Sequence, residues 1–285
     1  MTQRISYLNG KYLPHENCLV HIEDRAFQFA DGAYEVTLFE NNKLIDAQNH
    51  LARMMRSLNE LSINHNFTID SLIEIQLELF RRNKLNSGFC YLQISRGQAN
   101  RQLNLPQDIE PTINATVSEK KIFSPEEFAK GISVMTTDDI RWHRCDIKTV
   151  NLLASTLTNQ KAKEQGFDDA IFVRNGVVTE ATYANVFIVD KKNNLITHPA
   201  NNNILCGITR NRIIKIAQEN KINVIERKFS VDEMLQASEV FLTSSTLKIR
   251  PVSKINDLII FNNNHNKLTL TKTISDKYQE FILNH

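Results

Sequence analysis

Apolar positions along the chain follow two periods. Tyr7-Leu8 and Tyr12-Leu13 flank Asn9-Gly10, a dipeptide that tight antiparallel turns favour, so a hairpin is predicted there. Residues 34–39 and 43–46 predict a second hairpin, turning at Asn41-Asn42. The period then lengthens. Leu51, Met54, Met55, Leu58 and Leu61 recur at helical spacing. A further helix starting near Asp70 is expected to bury Leu72, Ile75, Leu79 and Phe80. Strands are predicted near 89–95 and 113–117.

The stretch 120–130 is polar and carries Ser124-Pro125, which reads as a linker. Beyond it the pattern predicts a strand ending near Ile140 and a helix over about 151–165 with Gly166 as its stop. Residues 170–173 and 177–179 flank Asn175-Gly176, another hairpin, and 186–189 with 195–198 form a further strand pair. Ile213, Ile214, Ile216 and Ala217 mark a helix after Gly207, residues 240–243 a strand, and Leu268, Ile274, Tyr278 and Phe281 a C-terminal helix. The asparagine-rich patches 201–203 and 262–266 read as loops. Hairpins in runs, with helices in separate runs, predict an α+β fold in place of a parallel nucleotide-binding sheet.

Composition narrows the function classes. With 285 residues and 41% hydrophobic content the chain can bury a sizeable core in one large or two smaller domains. A formal net charge of +2 supplies no broad basic field for nucleic acid or a membrane surface. Residues 1–10 lack an apolar stretch of signal-peptide type, and 258–261 is far too short to cross a bilayer, so the cytoplasm is the expected location. Four scattered cysteines without a CxxC pair are expected to be free thiols. No two of the eight glycines stand at the spacing of GxGxxG, GxSxG or a P-loop, which removes three nucleotide and hydrolase signatures. The eight histidines form neither HExxH nor a cluster at metal-ligand spacing, so no metal is called.

The remaining motifs come in a fixed order. Glu23-Asp24-Arg25, Asp31-Gly32-Ala33-Tyr34-Glu35 and Arg53 precede the block Arg141-Trp142-His143-Arg144-Cys145-Asp146-Ile147-Lys148. Thr179-Glu180-Ala181-Thr182-Tyr183-Ala184-Asn185-Val186-Phe187 follows, then Gly207-Ile208-Thr209-Arg210 and Thr243-Ser244-Ser245-Thr246. In these motifs, from about Tyr7 to Val252, the chain resembles the D-amino-acid transaminases of fold-type IV, which use pyridoxal 5'-phosphate.

The resemblance implies a two-domain α+β enzyme with its cofactor in the interdomain cleft. A small domain would span 1–120, a linker 121–130 and a large cofactor-binding domain 131–285. Lys148 would carry the cofactor as a Schiff base and shuttle a proton between substrate Cα and cofactor C4′. Glu180 would face the pyridine nitrogen and favour its protonated form. Arg53, the N–H groups of Ile208 and Thr209 at a helix start, Ser244 and Ser245 would hold the phosphate. Tyr34 and Arg101 would bind the substrate carboxylate, with Arg101 reaching in from the partner of a homodimer. Where the family has a histidine on that loop this chain has Leu103, and Tyr183 replaces a small residue near the cofactor face. The implied reaction is reversible amino transfer between a D-amino acid, such as D-alanine, and a 2-oxo acid, such as 2-oxoglutarate. Aminodeoxychorismate lyase, branched-chain amino-acid transaminase and a non-catalytic binding protein of the same fold stay open as alternatives.

Overall fold

The alternating first half of the chain folds into one antiparallel sheet. A computed structural model describes residues 4–119, 123–261 and 268–285; the patch 262–266 and residues 120–122 of the expected linker lie outside them. The chain divides into two compact units, one of residues 1–121 with 147–151 and 285, the other of 122–146 with 152–284.

The first unit carries β1 (Ile5–Leu8), β2 (Lys11–Pro14), a short helix α1 (Arg25–Phe29), β3 (Gly32–Glu40), β4 (Lys43–Leu44), α2 (Ala47–Glu60), α3 (Ile69–Asn83), β5 (Gly88–Ser95) and β6 (Thr112–Ser118). Its six strands run in the order β2-β1-β6-β5-β3-β4. The longest register pairs Gly32 with Ser95 through Phe39 with Gly88. Both expected hairpins form, with Asn9, Gly10, Asn41 and Asn42 all at positive φ. Leu51, Met54 and Leu58 of α2 are fully buried against the sheet, each contributing about 1.5–3 kcal/mol. Thr68 and Ser71 cap α3 reciprocally. Leu72, Leu79 and Phe80 are buried as expected, whereas Ile75 is partly covered and Gln76 takes the buried place. Phe80 stacks on Phe39 with ring centroids 3.9 Å apart.

Residues 147–151 belong with this sheet. Tyr34 N–H donates to the Lys148 carbonyl (3.0 Å), Val150 N–H donates to the Gly32 carbonyl (3.1 Å), and Thr149 bridges Ala33. Lys148 N–H also donates to Ser57 Oγ on α2 at 3.3 Å.

The second unit carries α4 (Pro125–Lys130), β7 (Ile132–Asp138), α5 (Leu153–Glu164), β8 (Asp169–Arg174), β9 (Val177–Ala181), β10 (Asn185–Val189), β11 (Leu195–Thr197), α6 (Ile208–Glu219), β12 (Val224–Glu226), α7 (Val231–Leu235), β13 (Glu239–Ser244), β14 (Lys248–Ile255), β15 (Leu258–Ile259) and α8 (Leu270–Asn284). Neighbours in its sheet are β12-β11-β10-β13-β14-β7-β8-β9, and a direct pair between Asn185 and Glu180 returns β9 to β10 and closes the ring. Val134, Ile171, Val186, Ile188, Leu242 and Val252 gather in its core.

Two features depart from the hairpin reading. β7–β8 and β14–β7 pair in parallel, so α5 is a crossover helix and the sheet is mixed. Within the stretch expected as a linker, Ser124 and Glu127 form a capping box that starts α4 with Pro125 in its first turn. None of the four cysteines, all among the described residues, is in a disulfide. Among the described residues no helix is long and apolar enough to cross a membrane.

Candidate active site

In the first unit, successive residues of β3 face opposite sides of the sheet. Tyr34 stacks on Tyr91 at 5.4 Å, and Lys148 Nζ lies 4.2 Å from the Tyr34 ring centroid. Among the described residues Lys148 Nζ meets no hydrogen-bond acceptor. It is a half-buried amine held over an aromatic face, with its backbone pinned on both sides by β3 and α2.

Glu35, the next residue, is fully buried and faces α2. Its oxygens accept Arg53 Nε (2.7 Å), Arg53 Nη2 (2.8 Å) and His50 Nδ1 (2.7 Å). Burial alone would push this carboxyl up, but the Arg53 and His50 charges and bonds outweigh it and hold Glu35 at about 2. An ionised carboxylate only accepts, so His50 Nδ1 carries the proton in this pair. Arg53 and Ser57 share one face of α2, which sets Arg53 one turn from the Lys148 backbone. Glu35 and His50 were not read as site residues; the signal was an acid in an apolar strand and a basic pair at helical spacing.

Arg101 and Leu103 are not drawn to Lys148 or Tyr34. Both lie on the exposed loop after β5, where Leu103 is 86% exposed and Arg101 Cζ sits 5.2 Å from the Phe29 ring centroid.

In the second unit, Glu180 lies near the end of β9, almost fully buried. Arg141 Nη1 donates to it, Asn185 Nδ2 donates at 3.1 Å, and Leu205 N–H reaches both oxygens at 3.1 Å. Asp139 grips Arg141 through Nε and Nη2, each at 2.9 Å, and Arg174 bridges to the same Asp139 at 3.1 Å. Burial would lower Arg141, yet Glu180 and Asp139 raise it instead, so its charge is fixed.

Asn185 joins Glu180 to the start of α6. Its Nδ2 also donates to the Leu205 carbonyl at 2.8 Å, and its Oδ1 lies where a Cβ on Gly207 would come within 2.1 Å. Gly207 precedes α6, so Ile208 and Thr209 occupy the first turn, where backbone N–H groups have no intrahelical acceptor. Asn185 pairs in register with Thr243, which brings the end of β13 to the same rim. There Ser244 Oγ lies 3.2 Å from Thr246 Oγ1 and accepts Leu247 N–H at 3.2 Å, with Ser245 next in the turn. Tyr183, in the turn between β9 and β10, is half exposed. Arg141 and Asn185 stand inside sequence motifs, yet their contacts with Glu180 are invisible in one dimension because they pair segments across strands.

The candidate residues thus fall into two sets, each within its own unit: Lys148 with Tyr34 and the Glu35–Arg53 pair in one, Glu180 with the α6 start and Ser244 in the other. The sequence profile of the family "Amino-transferase class IV" matches residues 32–255. The D-alanine aminotransferase of Bacillus licheniformis is 38% identical over 276 residues, 96% of each chain. That of Staphylococcus epidermidis is 35% identical over 281 residues, 98% of each. Among solved structures, the branched-chain amino acid aminotransferase of Escherichia coli superposes with a TM-score of 0.90 at 23% identity, covering 99% of this chain and 95% of the other. The T.th. branched-chain amino acid aminotransferase, solved with pyridoxamine 5'-phosphate, gives 0.90 at 21% identity, covering 100% and 95%. At these identities the two structures speak to the fold alone, while the profile and the full-length relatives speak to descent. The chain belongs to the class IV amino-transferases, enzymes that depend on pyridoxal 5'-phosphate.

Proposed function

We propose that this enzyme moves an amino group between a D-amino acid, such as D-alanine, and a 2-oxo acid, such as 2-oxoglutarate. The observation that carries the substrate class is the likeness to D-alanine aminotransferases along 96% of both chains.

The residues suit the cofactor. A half-buried amine over an aromatic ring, with no ion pair among the described residues, is available to bond a carbonyl. A buried carboxylate that accepts on both oxygens suits a protonated ring nitrogen. A helix start without a side-chain cap suits a phosphate. When bound, the pyridoxal ring draws off the electron density left by loss of the Cα proton. Lys148 would hold the cofactor and, as a free amine during turnover, would take the proton from substrate Cα and deliver it to cofactor C4′. Glu180 keeps positive charge at the ring nitrogen favourable, with Arg141 and Asn185 holding its oxygens in place. Ile208, Thr209, Ser244 and Ser245 are assigned to the phosphate together with Arg53, whose plane Glu35 fixes. Tyr34 and Arg101 are assigned to the substrate carboxylate, with Leu103 as an apolar neighbour.

The Arg101 loop is assigned to the site of a second copy, which makes the working enzyme a homodimer. Exposed Arg101 and Leu103 support this, as do Leu19, Ile22 and Phe27 on the same unit, each more than 70% exposed. The cytoplasm is the proposed location.

The test is the absorbance spectrum of the purified protein, expected to be yellow, on addition of single substrates. D-Alanine should bleach the visible band and release pyruvate. Bleaching by L-leucine and not by D-alanine would establish the branched-chain alternative. Pyruvate from aminodeoxychorismate, with D-alanine inert, would establish the lyase.

A further inference from the structure

The loop that carries Arg101 is tied at its root and held at its tip by different groups. At the root, Arg25 N–H donates to the Gly97 carbonyl (2.9 Å), Ala99 N–H to the Glu23 carbonyl (3.3 Å), and Ser95 Oγ to Asp24 Oδ2 (3.0 Å). Gly97 has φ +108°, and a Cβ there would lie 2.0 Å from the Glu110 carbonyl oxygen, so the turn accepts only glycine. The tip has less. Among the described residues, the hydrogen bond that reaches residues 101–103 is Arg25 Nη1 to the Gln102 carbonyl, at 2.8 Å.

Arg25 is itself immobilised. It is 3% exposed, and its Nε donates to Asp31 Oδ2 at 2.7 Å. Asp31 is fixed from the other side by Arg96 Nε (2.7 Å) and Nη2 (3.1 Å). The Arg25 guanidinium lies 4.5 Å from the centroid of Phe29, the ring that Arg101 approaches at 5.2 Å. One ring thus contacts both cations, and one buried guanidinium fixes the carbonyl next to Arg101. Asp31 also stands directly before β3, three residues ahead of Tyr34, so the anchor of the loop and the start of the Tyr34 strand are one short segment.

We propose that Arg25, locked by Asp31 and packed on Phe29, is a positioning residue that holds Arg101 in the posture that receives a substrate carboxylate. The inference rests on the reading of Arg101 as the carboxylate's partner. It predicts an effect on substrate capture, not on chemistry: an untethered loop tip must be ordered each time a carboxylate binds.

Arg25→Gln removes both the tether and the cation, while Asp31 keeps Arg96. KM for D-alanine and for 2-oxoglutarate should rise about tenfold, with kcat within about threefold and the visible cofactor band unchanged. Arg25→Lys should recover part of that rise. Tryptic cleavage after Arg101 should quicken about tenfold in Arg25→Gln, since an untied loop fits a protease more readily. The partner variant is Arg101→Met. If it raises KM and Arg25→Gln adds nothing on top of it, the two act through one group. If Arg101→Met raises KM while Arg25→Gln changes neither KM nor cleavage, the positioning role is overturned and the Arg101 assignment stands. Additive effects of the two substitutions overturn it as well, because Arg25 then acts by another route. If Arg101→Met leaves KM untouched, the carboxylate assignment fails and this inference falls with it.

Discussion

The two units treat their central charged groups in opposite ways. Glu180 in the second unit is saturated: a guanidinium, an amide and a backbone N–H all donate to it, and the guanidinium is gripped in turn by Asp139. Lys148 in the first unit meets no hydrogen-bond acceptor with its Nζ among the described residues; the amine lies over the Tyr34 ring and the backbone is hydrogen-bonded to β3 and α2. The contrast fits the roles proposed for the two groups. A group that must hold one charge throughout is best surrounded by partners, because each bond disfavours the other protonation state. A group that must form and break a covalent bond and carry a proton gains nothing from a partner it would have to leave. Removing the unpartnered group should therefore cost the most. Lys148→Ala is expected to lower amino transfer at least about 10³-fold and to abolish labelling by borohydride reduction. A label mapped to another lysine in the parent protein would break the comparison at its centre.

The first unit also has its saturated acid, Glu35, but there the acid serves a cation. Its folded value of about 2 lies below the ordinary 4.5, so the stability it supplies is complete above about pH 4.5 and is lost as pH falls towards 2. That difference amounts to about 3 kcal/mol. Glu35→Gln leaves Arg53 buried beside an amide and should cost about 3–5 kcal/mol, read as a fall in Tm at neutral pH. The variant should also lose most of the decline in Tm between pH 4.5 and 2 that the parent shows. A parallel decline in both proteins would mean that other carboxylates govern acid unfolding. Arg53→Ala should weaken cofactor retention about tenfold, or about 1.4 kcal/mol.

Asn185 tests whether saturation of Glu180 matters for itself. Asn185→Ala removes one donor from Glu180 and the wedge against Gly207, a change of about 1.5–3 kcal/mol for a bond to a charged group. Cofactor retention and kcat/KM should both fall about 10- to 100-fold. Gly207→Ala should act through the same residue, since its methyl displaces Asn185 Oδ1 while Nδ2 is held by Glu180 and Leu205. Spectra and kcat/KM within threefold of the parent in both variants would show that Arg141 and Leu205 suffice to hold the carboxylate.

Much of this architecture was legible in one dimension. Asn-Gly and Asn-Asn turns placed three hairpins, because those residues tolerate positive φ and strands need it there. Helical spacing found α2, α3, α5, α6 and α8. The parallel pairs β7–β8 and β14–β7 escaped, since a crossover leaves no local mark and Lys248–Ile255 is interrupted by Arg250, Pro251 and Lys254. The proposed site divides along the same line. Lys148, Glu180 and Thr209 sit in contiguous motifs and could be named. Glu35 with Arg53, Arg141 with Glu180 and Arg25 with Gln102 are meetings between segments distant in sequence, and local periodicity is silent about those.

Leu103 carries the smallest expected effect and the sharpest question about substrate. It is 86% exposed on the loop that Arg25 restrains, so it presents an apolar surface to solvent. With Tyr34 and Arg101 assigned to the carboxylate, a guanidinium fork and a phenol remain to bind it. A third donor would add at most about 1.5–3 kcal/mol, and an exposed position recovers only a fraction of that because water competes for the same bond. Leu103→His should therefore lower KM for D-alanine about two- to fivefold, roughly 0.4–1 kcal/mol. The effect should be greater below the imidazole's ordinary pKa, where the ring is a cation, than at pH 8. Donors with larger apolar side chains should lose affinity by a similar factor, because the same substitution removes an apolar neighbour. A KM for D-alanine that stays level or rises, at both pH values, would place Leu103 away from the bound carboxylate and leave Arg101 as the loop's sole contribution.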